Sequence, residues 1–280
     1  MSGFSADWLA LREGADRRAR DPVLLARLAA LFEARSEIEV VDLGCGTGSN
    51  LRALARHLPA RQDWILVDHD PALLAAARMR LSAWADRAAD GERLRLAKDG
   101  AEIAVRFVEA DLAAGAGAFL AGRPALVTAA ALFDLVSPAW IERFAGAAAG
   151  SGAAFYTALT YDGAERWTPP HPTDAAMLAA FLAHQGRDKG FGPAAGPQAT
   201  SLLERAFRAH GYAVETAKSP WRLGPGDAAL MQALAQGSAA AVGETGAVPE
   251  ETVRAWLDAR LAAVGCEIGH ADLLAIPPRS

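Results

Sequence analysis

Within the run Val40-Val41-Asp42-Leu43-Gly44-Cys45-Gly46-Thr47-Gly48-Ser49-Asn50, an apolar stretch ends in an acid and three glycines follow at every second position. The next residues, Leu51, Leu54, Ala55 and Leu58, recur at helical spacing until Pro59 ends the run. Strand, tight turn and helix in that order begin a βαβ unit. The turn lets a ligand approach bare backbone, because glycine has no Cβ and takes positive φ freely. The helix behind it offers unpaired N–H groups at its start. Asp42 and the turn therefore face the polar end of a nucleoside-like ligand.

Two nucleotide patterns can be compared with this loop. The dinucleotide fingerprint G-x-G-x-x-G fails at its last glycine, where Ser49 stands, and no G-x-x-x-x-G-K-[ST] phosphate loop is present. The string D-L-G-C-G-T-G-S-N instead resembles motif I of the class I S-adenosylmethionine-dependent methyltransferases. The residues beyond the loop extend the resemblance. Trp64-Ile65-Leu66-Val67 reads as a second strand closed by Asp68-His69-Asp70-Pro71. An acid at that strand end suits a ribose diol, and Asp70-Pro71 reads as a helix cap with proline in the first turn.

The alternation of Ala104 to Leu112 predicts a third strand with Asp111 after its end. Ala125 to Ala130 is a buried fourth strand, and Ser137-Pro138 starts the next helix. The resemblance implies a role for each of these. Asp42, Gly44, Cys45, Gly46, Gly48 and Asn50 form the cofactor loop. Asp68 holds the ribose, His69 flanks the adenine, and Asp111 with Leu112 meets the adenine amino group. S-adenosyl-L-methionine is the implied cofactor and S-adenosyl-L-homocysteine the product.

Six alternating units and a final strand from Gly269 to Ile276 predict an α/β, Rossmann-like fold. It has a seven-stranded, mostly parallel sheet with helices on both faces, whose last strand the family makes antiparallel. The 280 residues read as a single domain. Residues 1–35 are a helical lead and 36–163 the cofactor-binding core, and 164–197 and 219–264 are substrate-side helical inserts forming a cap. The fifth strand is expected from Ala153 to Thr160, with Tyr161-Asp162-Gly163 as a turn. Beyond it the chain holds His171, His184 and several aromatics in a connection too long to be plain. In the helical lead, Asp21-Pro22 starts a second helix, and Arg12, Asp16 and Arg20 share a face that is expected to be solvated, with a cover for the cofactor pocket as the second reading.

Methyl transfer from a sulfonium needs alignment above all, and a base only when the nucleophile arrives protonated. Asp134, Tyr161, His171 and His184 are the candidates for base or orienter. The expected function is methyl transfer to a small organic acceptor by in-line displacement. The alternative is a protein of the same fold that binds the cofactor without catalysis or uses the sulfonium for other chemistry.

A net charge of −5 gives no electrostatic reason to expect nucleic acid, and no segment is apolar enough for a membrane. The first residues, Met1 to Asp7, do not read as a signal peptide. Cys45 and Cys266 make no metal-like spacing, so no metal is expected. A cytoplasmic monomer or homodimer acting on a small molecule completes these expectations.

Overall fold

The computed structural model describes residues 4–278, so Met1 to Gly3 of the signal-peptide reading lie outside the described residues. Two helices lead, α1 (Ala6–Ala19) and α2 (Pro22–Phe32), capped by Ser5 and Asp21. The core then alternates: β1 (Glu37–Leu43), α3 (Ser49–Leu54), β2 (Arg61–Asp68) and α4 (Pro71–Trp84). A hairpin of β3 (Arg87–Ala89) and β4 (Leu94–Lys98) precedes β5 (Ala101–Glu109). After α5 (Gly117–Leu120) come β6 (Leu126–Ala130), α6 (Pro138–Ser151) and β7 (Ala154–Thr168). The last part runs α7 (Asp174–Gln185), α8 (Ala199–Ala209), β8 (Ala213–Lys218), β9 (Trp221–Leu223), α9 (Ala228–Gly243), α10 (Glu250–Leu261) and β10 (Gly265–Ile276).

Among the described residues one sheet of ten strands runs β3-β4-β5-β2-β1-β6-β7-β10-β8, with β9 on β10. The pairs β1–β2, β1–β6, β2–β5 and β6–β7 are parallel, and β10 is antiparallel to its neighbours. Strand order reverses at β1, where open α/β sheets leave a crevice at their carboxyl ends. The Rossmann-like class holds, with ten strands rather than the seven expected. The extra three are the edge hairpin β3–β4 and the short β9.

Side-chain alternation splits the apolar residues between two faces. Val41, Leu43, Ile65 and Val67 pack under α6 and α8, in a layer where Phe155 stacks on Phe207 and meets Phe144 edge to face. Val40, Trp64 and Leu66 join Leu24, Leu28 and Leu51 on the other. Proline in the first turn and an Asp or Ser cap start α2, α4 and α6 as the sequence predicts.

Two expectations change here. Tyr161-Asp162-Gly163 is not a turn. Strand β7 passes through it, because β10 supplies a pairing partner as far as Thr168. Gly163, at φ +84°, and Leu159, at φ +60°, take up the irregularity. The strand thus projects past Ala158, the partner of the last β6 residue, and forms a wall above the carboxyl edge. Trp167, Met177, Trp221, Met231 and Trp256 build an apolar layer where α7, α9 and α10 cover that wall.

The shared face of α1 is not solvated either: Arg12, Asp16 and Arg20 are buried. Their partners lie far along the chain, as in the bond from Trp221 Nε1 to Asp16. No described helix is long and apolar enough to cross a membrane.

Candidate functional site

Gly44, Gly46 and Gly48 take φ of +65°, +52° and +75°, so the loop coils through a conformation that other residues resist. Cys45 N–H donates to the Val67 carbonyl at 3.0 Å, and Gly48 N–H to the Cys45 carbonyl at 2.9 Å. No side chain caps α3, which leaves its first N–H groups available at the loop. A Cβ on Gly46 would stand 2.9 Å from Leu9 Cδ1, so α1 lies directly over the cradle. Burial and the carboxylates of Asp42 and Asp68 push the Cys45 thiol well up, which makes it an inert filler rather than a nucleophile.

Asp68 braces this loop. Its Oδ2 accepts from Gly46 N–H at 2.8 Å and its Oδ1 from Asp70 N–H at 3.1 Å. Each carboxylate oxygen keeps a second lone pair for a ligand. His69 is exposed beside it, with Nδ1 at 3.4 Å from Asp68 Oδ1. Below the loop, Asp42 is completely buried and accepts from Asn50 Nδ2 at 2.7 Å, and the same nitrogen reaches Thr128 Oγ1. Burial pushes Asp42 up to about 7, against the pull of Asn50 and Arg20. Among the described residues, Asp42 Oδ2 and Asn50 Oδ1 have no partner.

At the end of β5, Asp111 is exposed and caps the following turn through Ala113 N–H at 2.8 Å. Leu112 is buried, and its carbonyl takes Trp140 Nε1 at 2.8 Å. The loop, Asp68 and Asp111 stand at the carboxyl ends of β1, β2 and β5, which are adjacent strands. A loop of positive-φ glycines, a strand-end acid and no lysine in the loop fit a nucleoside without a pyrophosphate.

The neighbouring half of the edge holds a second group. Asp134, in the loop after β6, is 7% exposed and has Oδ1 unpartnered. Burial raises it to about 6, opposed by backbone N–H groups and by Arg12. Tyr161 on β7 is buried with its hydroxyl unpartnered and its acidity suppressed by burial and nearby carboxylates. Its ring lies 6.1 Å from that of His270 on β10, which lies 4.8 Å from Trp221 on β9. Burial and the Arg12 charge lower His270 to about 3, so it stays neutral, and its Nδ1 has no partner. Arg12 reaches in from α1, bonded through Nε to Asp16 at 2.9 Å.

Of the four catalytic candidates, Asp134 and Tyr161 share this cluster, and the two histidines are engaged elsewhere. His171 sits in the turn before α7, beyond the end of β7, with Nδ1 at 2.8 Å from Thr173 Oγ1. His184 joins α7 to α9 through Glu244 at 2.9 Å. His270 escaped the sequence reading because a histidine inside an alternating strand carries no local mark. Among the described residues no group of three or more His, Cys, Asp or Glu side chains could hold a metal.

Residues 40–105 match the family model described as a methyltransferase domain. That segment runs from β1 into β5 and contains the loop and Asp68. No curated protein matches the sequence. Among solved structures, the YcgJ protein from Bacillus subtilis is 15% identical, with 91% of this chain and 98% of that one covered and a TM-score of 0.50. A SAM-dependent methyltransferase from Geobacter sulfurreducens, in complex with S-adenosyl-L-homocysteine, is 19% identical, with 99% and 100% covered and a TM-score of 0.45. At 15% identity the likeness to YcgJ concerns the fold.

Proposed function

We propose that this chain is a class I methyltransferase that transfers a methyl group from S-adenosyl-L-methionine to a small organic acceptor, a reading supported by the match of residues 40–105 and by the sheet. The glycine cradle braced by Asp68 is the observation that carries this reading. Gly44, Cys45, Gly46, Gly48 and Asn50 hold the cofactor's amino-acid end, with Asp42 beneath them. Asp68 accepts from the ribose hydroxyls, and His69, Asp111 and Leu112 border the adenine. When bound, the cofactor supplies an electrophilic methyl whose leaving group is a neutral thioether.

The acceptor lies beside it, among Asp134, Tyr161, Trp221 and His270. Asp134 is the base: a carboxylate raised to about 6 is ionised at neutral pH yet basic enough to take a proton. Tyr161 orients the nucleophile through its free hydroxyl. The wall of β7, β9 and β10 and the lid of α1 exclude water.

Parallel calorimetric titration with S-adenosylmethionine, S-adenosylhomocysteine and NAD tests the reading. Micromolar binding of both adenosyl compounds and none of NAD is expected. Binding of NAD alone overturns it.

A further inference from the structure

Arg12 brings an unusual demand to the acceptor cluster. It is 9% exposed, and its guanidinium is fixed on two sides. Asp16 Oδ2 takes Nε, while Asp16 Oδ1 is itself held by Trp221 Nε1 at 3.0 Å. The guanidinium carbon stands 5.1 Å from the centroid of the Trp221 ring. Both oxygens of its partner are thus in use, and the plane of the fork is set. Its two terminal nitrogens make no hydrogen bond to a described residue. A preorganised guanidinium with that edge free matches a planar, bidentate anion, above all a carboxylate.

Two more groups share the cluster. Asp134 Oδ1 and His270 Nδ1 are buried and have no partner among the described residues. Trp221 links the fork to His270, its ring 5.1 Å from the guanidinium carbon and 4.8 Å from the His270 ring, and the Arg12 charge acts to lower both Asp134 and His270. Leaving buried polar atoms unpaired is costly, and a ligand hydroxyl would relieve both by donating to Asp134 Oδ1 and accepting from His270 in its Nδ1–H tautomer. The rings of Trp221 on β9 and Tyr161 on β7 flank His270 on β10, 4.8 and 6.1 Å from its ring. A ligand that satisfies all of these has a carboxylate, a flat apolar body and a hydroxyl.

We propose that the acceptor is a small aromatic hydroxy acid, its carboxylate on the Arg12 fork and its hydroxyl between Asp134 and His270. The inference rests on the methyl-transfer reading of the same site. The hydroxyl oxygen is the nucleophile, and its proton passes to the Asp134 carboxylate.

The test is titration of the protein saturated with S-adenosylhomocysteine. The probes are 4-hydroxybenzoate, 3-hydroxybenzoate and 4-hydroxyphenylacetate, each beside its carboxamide. At least one acid is expected to bind about tenfold or more tighter than its amide, as the loss of a charged bidentate pair implies. Arg12→Gln should abolish that preference and leave the affinity for S-adenosylhomocysteine within about twofold of the parent. Arg12→Lys, which keeps the charge without the fork, should keep part of it.

Equal binding of acid and amide overturns the proposal, as does failure of every acid to bind the saturated protein. So does an Arg12→Gln variant that loses S-adenosylhomocysteine by the same factor, because the fork then holds the cofactor's own carboxylate. If Arg12→Gln does not fold, the acid–amide comparison on the parent protein and Arg12→Lys decide. Failure of the parent to bind S-adenosylhomocysteine at all is a different result, and sinks the methyl-transfer reading beneath the proposal.

Discussion

Asp42 and Asp68 end adjacent strands, yet their surroundings give them opposite characters. Asp68 is held by two backbone N–H groups and has lone pairs left for a ribose. Replacing it by Ala should weaken S-adenosylhomocysteine binding by about 2–4 kcal/mol, because charge-assisted hydrogen bonds and the brace on Gly46 go together. Calorimetry that shows unchanged affinity would remove the ribose assignment. Asp42 is completely buried with one side-chain hydrogen bond, from Asn50, and burial lifts it to about 7. Between the ordinary carboxylate range and that value the native state binds more protons than the unfolded chain. Stability therefore falls as pH rises through this window. Asp42→Asn cannot ionise, so its stability relative to the parent should improve from pH 4 to about pH 7 in urea melts and level off above that. A constant difference would mean that Asp42 is ionised in the fold throughout. For Asp134, substitution by Asn should lower turnover of an accepted hydroxy acid by about 10²–10⁴-fold, the range for loss of a positioned base. Binding of S-adenosylhomocysteine should hold, and parent activity should rise through pH 6 as the carboxylate ionises.

The elements around the site are fastened by another acid, Asp272 of β10. It is fully buried and accepts from Asp21 N–H, Leu159 N–H, Ser219 Oγ and Tyr156 Oη. Four donors from the α1–α2 junction, β7 and the β8–β9 turn converge on one carboxylate. Asp272→Ala strands all four and should cost about 3–5 kcal/mol, read as a lower urea midpoint. A loss under 1 kcal/mol would mean that these segments are held by packing alone. Asp272 was not legible in the sequence, since its partners are brought to it only by the sheet. The glycine loop, Asp68, and the capped starts of α2, α4 and α6 were legible because their signals are local: φ demands, strand-end acids and Asp/Ser-Pro caps. The edge strand β3 was not, because Arg87-Ala88-Ala89 is fully exposed and carries no apolar alternation. Strand β7 was cut short at Tyr161 because Asp162-Gly163 reads as a turn until β10 is there to pair with it. Charge on α1 suggested solvent for a similar reason: Arg12 and Asp16 are buried against residues more than half the chain away.

At the scale of the whole molecule, the lid and the cradle are one mechanical unit. Leu9 of α1 rests on Gly46, Glu13 clasps Arg52 of α3 at 2.7 Å, and Arg80 of α4 holds the Ala6 carbonyl at 3.1 Å. Trp221 and Asp227, from the far end of the chain, fasten the other half of α1 through Asp16 and Arg18. A ligand in the cradle therefore contacts a helix anchored to both the core and the late insert. Its binding energy adds to the stability of all three, because a ligand that binds only the folded form shifts the folding equilibrium. At about 100 times its dissociation constant, S-adenosylhomocysteine should raise stability by about 2.7 kcal/mol, while NAD at equal concentration should leave it unchanged. The rise should appear in a single cooperative transition if α1 melts with the sheet. Two transitions, with only the second shifted by ligand, would show that α1 opens independently and that the cradle binds without its lid. Leu9→Ala separates these cases further. It removes the contact over Gly46 while leaving the Arg52 and Arg80 clasps, so a lid that contributes to binding should lose affinity for S-adenosylhomocysteine by more than it loses stability.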